Sequence, residues 1–115
     1  MRYDLKLTGV PVISKKNRLK FGRGRTYKPT EVIEFESALR KCAEELSVEP
    51  LSGDLTVEIV VVVPDKRRRD LQNFSDTICD ALNGVLYVDD SQITTLLMRK
   101  VWGKEWELLI SVGQH

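Results

Sequence analysis

The feature that most constrains the fold is a run of apolar residues from Asp54 to Val63, DLTVEIVVVV. In its first half apolar residues alternate with polar ones, and from Ile59 onward every residue is isoleucine or valine. Alternation is typical of a strand with one exposed face, and a continuous apolar run is typical of a strand buried on both faces. The run therefore predicts a central strand.

The segments around this strand predict the order strand, loop, helix, strand, helix, strand, strand. Both helices have apolar residues three and four positions apart, and the last two strands are expected to form a hairpin across Gly103 and Lys104. The result is an α+β fold, a single mixed β-sheet packed with two main helices. The predicted elements are Tyr3 to Val12, Pro29 to Leu46, Asp54 to Val63, Leu71 to Asn83, Ile93 to Val101 and Trp106 to Val112.

Length and composition predict one globular domain, residues 1–115, that can bury a core without disulfides. No stretch approaches the roughly 18 apolar residues of a membrane span, and the charged start does not lead into a signal peptide. We therefore expect a cytoplasmic protein. Cys42 and Cys79 are predicted to be buried thiols, and the lone terminal His115 argues against a zinc site.

Positive charge is segregated along the chain, although the net charge is only +1. The segment from Ser14 to Lys28, expected to be a mobile loop, has no acidic residue, and a second block precedes Asp70. Such segregation indicates a phosphate-binding surface. The candidate DNA-binding residues are Lys15, Lys16, Arg18, Lys20, Arg23, Arg25, Lys28, Arg67, Arg68 and Arg69.

Five aspartates lie between Arg67 and Gln92, on and around the second predicted helix. If the strand that follows this helix pairs near the central strand, the helix is a short crossover that brings Asp70 and Asp90 to the same edge of the sheet. Oxygen ligands are those that Mg²⁺ prefers, and it needs only one or two carboxylates. In phosphodiester hydrolysis such a cation lowers the pKa of the attacking water.

Several motifs at these distances resemble the RusA-type Holliday junction resolvases of bacteria and their prophages, and the resemblance covers nearly the whole chain. They are Gly9-Val10-Pro11 with Ser14-Lys15-Lys16-Asn17-Arg18, then Arg69, Asp70 and Asn73, then Asp80-Ala81-Leu82-Asn83-Gly84, and Asp89-Asp90-Ser91-Gln92-Ile93.

The resemblance implies a homodimeric, magnesium-dependent endonuclease that cuts four-way DNA junctions with paired nicks in recombination and repair. Mn²⁺ is a possible substitute. The family's metal-site aspartates correspond to Asp70, position 72 and Asp90, and its DNA-binding arginine corresponds to Arg69. Asp89 is a further candidate ligand.

The chain departs from the family at two positions. It has Gln72 where the family usually has aspartate, and Asp76 where the family frequently has lysine. Gln72 keeps an oxygen ligand but loses a charge, and Asp76, one turn later on the same face, is predicted to restore it.

Four alternatives remain open on the sequence alone. Asp70 can be a helix N-cap, Asp80 a structural residue, and Asp89 with Asp90 turn formers. The basic segments fit a non-catalytic nucleic-acid-binding module or a protein-interaction surface. Gln72 also fits a relative that binds junctions without cutting them.

Overall fold

The computed structural model describes residues 1–13, 20–22, 25–27, 30–67 and 69–114. The main elements in this part are β1 (Arg2–Thr8), β2 (Lys20–Gly22), β3 (Arg25–Tyr27), α1 (Thr30–Glu44), β4 (Leu55–Val63), α2 (Leu71–Ala81), β5 (Ile93–Trp102) and β6 (Glu107–Gln114). Four strands form one sheet in the order β1-β6-β4-β5, and β2 and β3 form a separate pair. Strand β4 is parallel to β5 and antiparallel to β6, which confirms the predicted mixed sheet and the α+β class.

The central position of β4 is confirmed, because it pairs with a strand on each side. Its alternate residues meet those of β6 on one face of the sheet, as in the pairs Val57 with Val112 and Ile59 with Ile110. Helix α1 packs Phe35 and Leu39 into the same core, and α2 contributes Phe74 and Ile78. Because each such buried side chain contributes about 1.5–3 kcal/mol, this core holds both helices on the sheet.

The predicted hairpin between the last two strands is wrong. Strands β5 and β6 both pair with β4, on its opposite sides, so the connection between them passes the end of β4. The backbone N–H of Gly103 donates to the carbonyl of Val63 at 3.0 Å. A Cβ at Gly103 would lie 2.5 Å from Cγ1 of Val62. The close approach of the Gly103 backbone to the Val62 side chain therefore favours glycine here, and a hairpin turn does not explain it.

The expectation of a mobile loop for Ser14 to Lys28 is also wrong in part. Strands β2 and β3 pair antiparallel within it, with Phe21 opposite Thr26. Phe, Thr and Tyr favour strands, and the many cations concealed this short β pattern in the sequence. Residues 14–19, 23–24 and 28–29 lie outside the described part.

The connection from β4 through α2 to β5 determines where the acidic residues lie. The chain leaves β4 at the carboxyl end of the strand, runs back along α2 and enters β5 at the amino end. Neither described helix is long and apolar enough to cross a membrane.

Candidate metal centre and DNA-binding surface

Asp90 is positioned by a short 3₁₀ turn, Asp90–Gln92, that leads into β5. The carboxylate of Asp89 accepts the backbone N–H of Ser91 at 3.0 Å, and Gln92 Oε1 accepts the N–H of Asp89 at 3.0 Å. This reciprocal pair is a capping box. Nε2 of Gln92 also donates to the carbonyls of Leu51 and Gly53, both at 3.0 Å. The Asp89 to Gln92 motif therefore fixes the backbone that carries Asp90.

Asp89 itself has a structural role in this turn. Its hydrogen bonds from Ser91 hold the pKa of its carboxyl below the ordinary value, so it is charged at neutral pH. The interpretation of Asp89 as a turn former is confirmed. Its assignment as a metal ligand remains a prediction.

Asp90 and Asp76 line the same groove between α2 and the start of β5, with a volume of about 280 Å³. A hydrogen bond between the carboxyl groups of Asp80 and Asp90 raises the pKa of Asp90, and partial burial and the charges of Asp80, Asp89 and Asp76 raise it further. Like charges this close disfavour the charged form of both carboxyls, and a bound cation offsets that repulsion. The other residues that line the groove are Ser75, Cys79, Ile93, Thr94 and Leu96.

The donors around the groove suit a hard cation. They are carboxylate oxygens, and the one thiol, Cys79, is kept protonated because burial raises its pKa to about 11. No set of three or more His, Cys, Asp or Glu residues converges on one point in the described part of the chain. Mg²⁺ is commonly bound by one or two carboxylates with water in its other positions. The pair Asp80 and Asp90, with Asp76 beside it, fits that requirement.

Asp70 lies at the other end of α2, where it occupies the N-cap position without a side-chain capping bond. The residue before it is tightly held. The guanidinium of Arg69 makes two hydrogen bonds to the carboxylate of Asp65, at 2.6 and 3.1 Å. The Cζ of this guanidinium lies 4.8 Å from the centre of the Trp106 ring, and Lys100 Nζ donates to the Arg69 carbonyl at 2.8 Å. These contacts fix the backbone at Asp70.

The expectation that Asp70 and Asp90 meet at the same edge of the sheet is wrong. Strands β4 and β5 are parallel. The residue that follows β4 therefore lies at the carboxyl ends of these strands, and the residue that precedes β5 lies at their amino ends. Asp70 is ten residues from Asp80, which corresponds to about 15 Å along α2. Ile93 is seven strand steps, about 23 Å, from Lys100, the residue that contacts Arg69. The order of the two helices and of the four strands of the main sheet was predicted correctly, but periodicity does not give strand direction.

Gln72 and Asp76 are both exposed and lie one turn apart on α2. Asp76 therefore lies between Gln72 and the Asp80–Asp90 pair along the helix surface. The structure places Asp76 in the groove with Asp90. Its role in replacing the family's aspartate remains a prediction.

Sequence reasoning missed three residues around this site. Asp80 was left as a possible structural residue, although its spacing of four from Asp76 indicated a shared face. Tyr87 donates its hydroxyl to the carbonyl of Cys79 at 2.6 Å, and Arg40 Nη1 donates to the carbonyl of Asn83 at 2.9 Å. These two hydrogen bonds hold the end of α2, and no local sequence pattern predicts them.

The candidate DNA-binding residues are only partly described. Arg67 is exposed, whereas the Arg69 side chain is only 17% exposed and is paired with Asp65. Arg69 therefore has a structural role here, and its contact with DNA remains a prediction. Lys20 and Arg25 lie in β2 and β3. The residues outside the described part are Lys15, Lys16, Arg18, Arg23, Lys28 and Arg68.

Comparison with known proteins identifies the family of this chain. Residues 8–113 match the family model for endodeoxyribonuclease RusA. The chain is also similar to the crossover junction endodeoxyribonuclease RusA of Aquifex aeolicus (strain VF5), with 24% identity over 106 residues, 89% of this chain and 84% of the relative. Because the family match spans nearly the whole chain, this protein belongs to the RusA family of endodeoxyribonucleases.

Proposed function

We propose that this protein is a magnesium-dependent, structure-selective DNA endonuclease that resolves four-way junctions by paired nicks in recombination and repair. Family membership supports DNA cleavage, and the name of the Aquifex relative supports the junction as substrate. The observation that carries the metal dependence is that Asp76 and Asp90 line one groove and that the carboxyl of Asp80 lies within hydrogen-bonding reach of Asp90.

Asp90 and Asp80, with Asp76 beside them, would hold the cation. Gln72, one turn from Asp76, is a further proposed ligand, whereas Asp70 lies about 15 Å from Asp80 along α2 and would not reach the same ion within one chain. When bound, Mg²⁺ supplies an activated water and stabilises charge that develops on the scissile phosphate. Mn²⁺ can replace it because the donors are oxygen atoms. The chain positions the cation through the capping box at Asp89 and through the bonds of Gln92 to the loop before β4.

The basic residues balance this negative site. Arg67 is exposed close to the start of α2, and the segment from Lys15 to Lys28 supplies most of the remaining clustered cations. DNA phosphates are repelled by carboxylates, so these cations hold the backbone of the DNA against the metal site. The enzyme acts on DNA in the cytoplasm.

A homodimer matches the symmetry of the substrate. Paired nicks in a four-way junction need two active sites related by a two-fold axis, and closed two-fold dimers are the commonest oligomers. Sedimentation of the protein at micromolar concentration is expected to give a dimer with and without DNA.

Cleavage of a synthetic four-way junction, compared with a linear duplex of the same sequence, tests this function. Wild type is expected to nick the junction only with Mg²⁺ or Mn²⁺. Asp90→Asn removes a ligand and is expected to abolish nicking while junction binding persists or tightens. Asp4→Asn is the matched control, because it removes the same charge from β1 at the far edge of the sheet. Wild-type activity in Asp90→Asn would refute the assignment.

Gln72 supports a second candidate function, a relative that binds junctions without cutting them. The family's aspartate is replaced there by a residue that carries no charge. Failure of wild type to cut at any Mg²⁺ or Mn²⁺ concentration, together with cutting by Gln72→Asp, would establish this second function.

A further inference from the structure

We infer, on the basis of the proposed function, that Trp102 is a stacking platform for an exposed base face at the point where the arms of a branched DNA meet. The basic residues contact phosphates, which linear and branched DNA share. Trp102 recognises a feature that distinguishes the two, so it contributes to the preference for branched DNA.

The first observation is the exposure of an aromatic ring. Trp102 is 59% exposed. It is the one exposed aromatic residue in the part of the chain whose burial is described, where the others are the buried Phe35, Phe74 and Tyr87 and the half-buried Tyr3 and Trp106. A packed tryptophan buries about 150–250 Å² of surface. Most of that contact area is therefore available at Trp102 for a ligand.

The second observation is that the backbone at Trp102 is held in place. Trp102 is opposite Val63 at the last position of the parallel ladder between β4 and β5. The N–H of the next residue, Gly103, donates to the carbonyl of Val63 at 3.0 Å. A ring on a strand end that is fixed in this way loses little conformational freedom when a base stacks on it, and this pre-organisation favours binding.

The third observation is that the ring lies at the end of the sheet where α2 begins. Trp102 and Lys100 are two residues apart on β5, so their side chains lie on the same face. Nζ of Lys100 donates to the carbonyl of Arg69 at 2.8 Å. Two strand residues span about 7 Å. Trp102 therefore lies close to the segment that leads into Asp70.

Cations flank the ring. Nζ of Lys66 lies 5.9 Å from the centre of the Trp102 ring. Lys66 and Arg67 are both exposed, and the carboxylate of Asp65 beside them is paired with Arg69. An aromatic ring with cations next to it is the combination that binds unpaired nucleotides, because the base stacks while the cations hold the backbone. The same cations favour DNA over an apolar protein surface as the ligand of this ring.

The branch point of a junction supplies a base that can stack on this ring. Inside a linear duplex, neighbouring pairs cover both faces of every base pair. The arms of a junction end where they meet, so the last pair of an arm has an uncovered face. Stacking on an aromatic side chain tolerates any base, because every base has a π-face. Trp102 therefore selects the shape of the DNA and not its sequence.

Binding of Trp102→Ala to a four-way junction and to a linear duplex tests this inference. All arms are closed by hairpins, and divalent metal is absent. Loss of one stacked base weakens binding by about 5- to 100-fold, and we expect this loss on the junction. On the duplex we expect a change below about twofold.

Two further substitutions at Trp102 separate an aromatic face from apolar area. Trp102→Phe keeps an aromatic ring and is expected to retain most of the affinity for the junction. Trp102→Leu is apolar without a ring and is expected to bind as weakly as Trp102→Ala. Leu109→Ala, at an exposed leucine on β6, is the matched control and is expected to bind both DNAs as wild type does.

A junction with abasic nucleotides at the branch point separates stacking from phosphate contacts, because it keeps every phosphate and lacks the bases. Wild type is expected to bind it as weakly as Trp102→Ala binds the intact junction. Trp102→Ala is expected to cause no further loss there, since the ring has no base to contact. Arg67→Ala, in contrast, is expected to weaken binding to all three DNAs by the same factor.

Equal weakening of junction and duplex by Trp102→Ala, or an undiminished effect on the abasic junction, would overturn the inference. Altered sedimentation of Trp102→Ala without DNA would assign the ring to a contact between protein chains and overturn it as well. Nicking by wild type with Mg²⁺ is measured separately. Nicking without coupling between the ring and the base refutes the inference alone, coupling without nicking refutes the function alone, and no junction binding by wild type refutes both.

Discussion

Replacing Tyr87 with phenylalanine should destabilise the protein through a single hydrogen bond. The Tyr87 side chain is fully buried, and its hydroxyl donates to the carbonyl of Cys79 at 2.6 Å. Without the hydroxyl the Cys79 carbonyl keeps only a longer bond, 3.3 Å, from the backbone N–H of Leu82, and the lost hydrogen bond costs about 0.5–1.5 kcal/mol. We expect a loss of about 1.5 kcal/mol in the free energy of unfolding, which corresponds to about 5 °C in Tm for a chain of this length.

Tyr3→Phe is the matched control for this prediction. The hydroxyl of Tyr3 also donates to a backbone carbonyl, that of Glu49, at 2.8 Å, but the residue is only half-buried. Water can replace the lost donor there, so the expected cost is below about 0.5 kcal/mol. Urea unfolding gives the free energy of unfolding of both variants. The two values can be compared directly when the dependence of that free energy on urea concentration is the same. Equal losses would refute the argument that burial makes the Tyr87 bond important.

Tyr87 also links stability to the metal site. It is two residues before Asp89, and its bond to Cys79 ties the loop that carries Asp90 to the end of α2. We therefore expect Tyr87→Phe to weaken Mn²⁺ binding, whereas Tyr3→Phe leaves it unchanged.

Three further predictions follow from the site and its supports. In Mg²⁺ titrations of junction cleavage, Gln72→Asp should raise metal affinity and Asp76→Asn should lower activity; an unchanged Asp76→Asn would mean that this residue is a solvated helix position. The hydrogen bonds from Arg69 lower the pKa of Asp65 to about 2, so its ion pair stabilises the fold above its unfolded value near 4 and is lost as pH falls toward 2. Unfolding midpoints of wild type and Asp65→Asn should therefore differ at neutral pH and converge near pH 2, and a constant difference would count against the ion pair. Replacing three cations between Lys15 and Lys28 with alanine should weaken binding to all DNA shapes and reduce the salt slope by about one ion per lost phosphate contact, and an unchanged slope would exclude this segment from the interface.

The sequence allowed correct prediction of elements whose periodicity is strong. The pattern from Leu55 to Val63 fits only a buried strand. The apolar spacing of α2 predicted the bounds of that helix to within about two residues. Strand neighbours and directions could not be predicted in the same way. The short link through Gly103 fits a hairpin and a crossing over the end of β4 equally well, and only the strand order, with β5 and β6 on opposite sides of β4, distinguishes them.

The candidate site also has one part that local sequence predicts and another that depends on how the elements pack. The Asp89 to Gln92 spacing contains a capping box, so its turn could be predicted from local chemistry. The contact between Asp80 and Asp90 depends on how α2 lies against β5. The distance from Asp70 to Asp90 depends on the parallel pairing of β4 with β5, and residue spacing along the chain contains no information about it.

Parallel titrations of Mn²⁺ binding and junction nicking test the central claim, that the carboxylates around α2 hold the cation used to cut DNA. Bound Mn²⁺ is measured by electron paramagnetic resonance for wild type, Asp90→Asn and the control Asp4→Asn, and nicking is measured at the same concentrations. We expect both signals to rise together in wild type and in Asp4→Asn, and both to be absent in Asp90→Asn. Mn²⁺ binding by Asp90→Asn as tight as that of wild type, or nicking by it, would contradict the account.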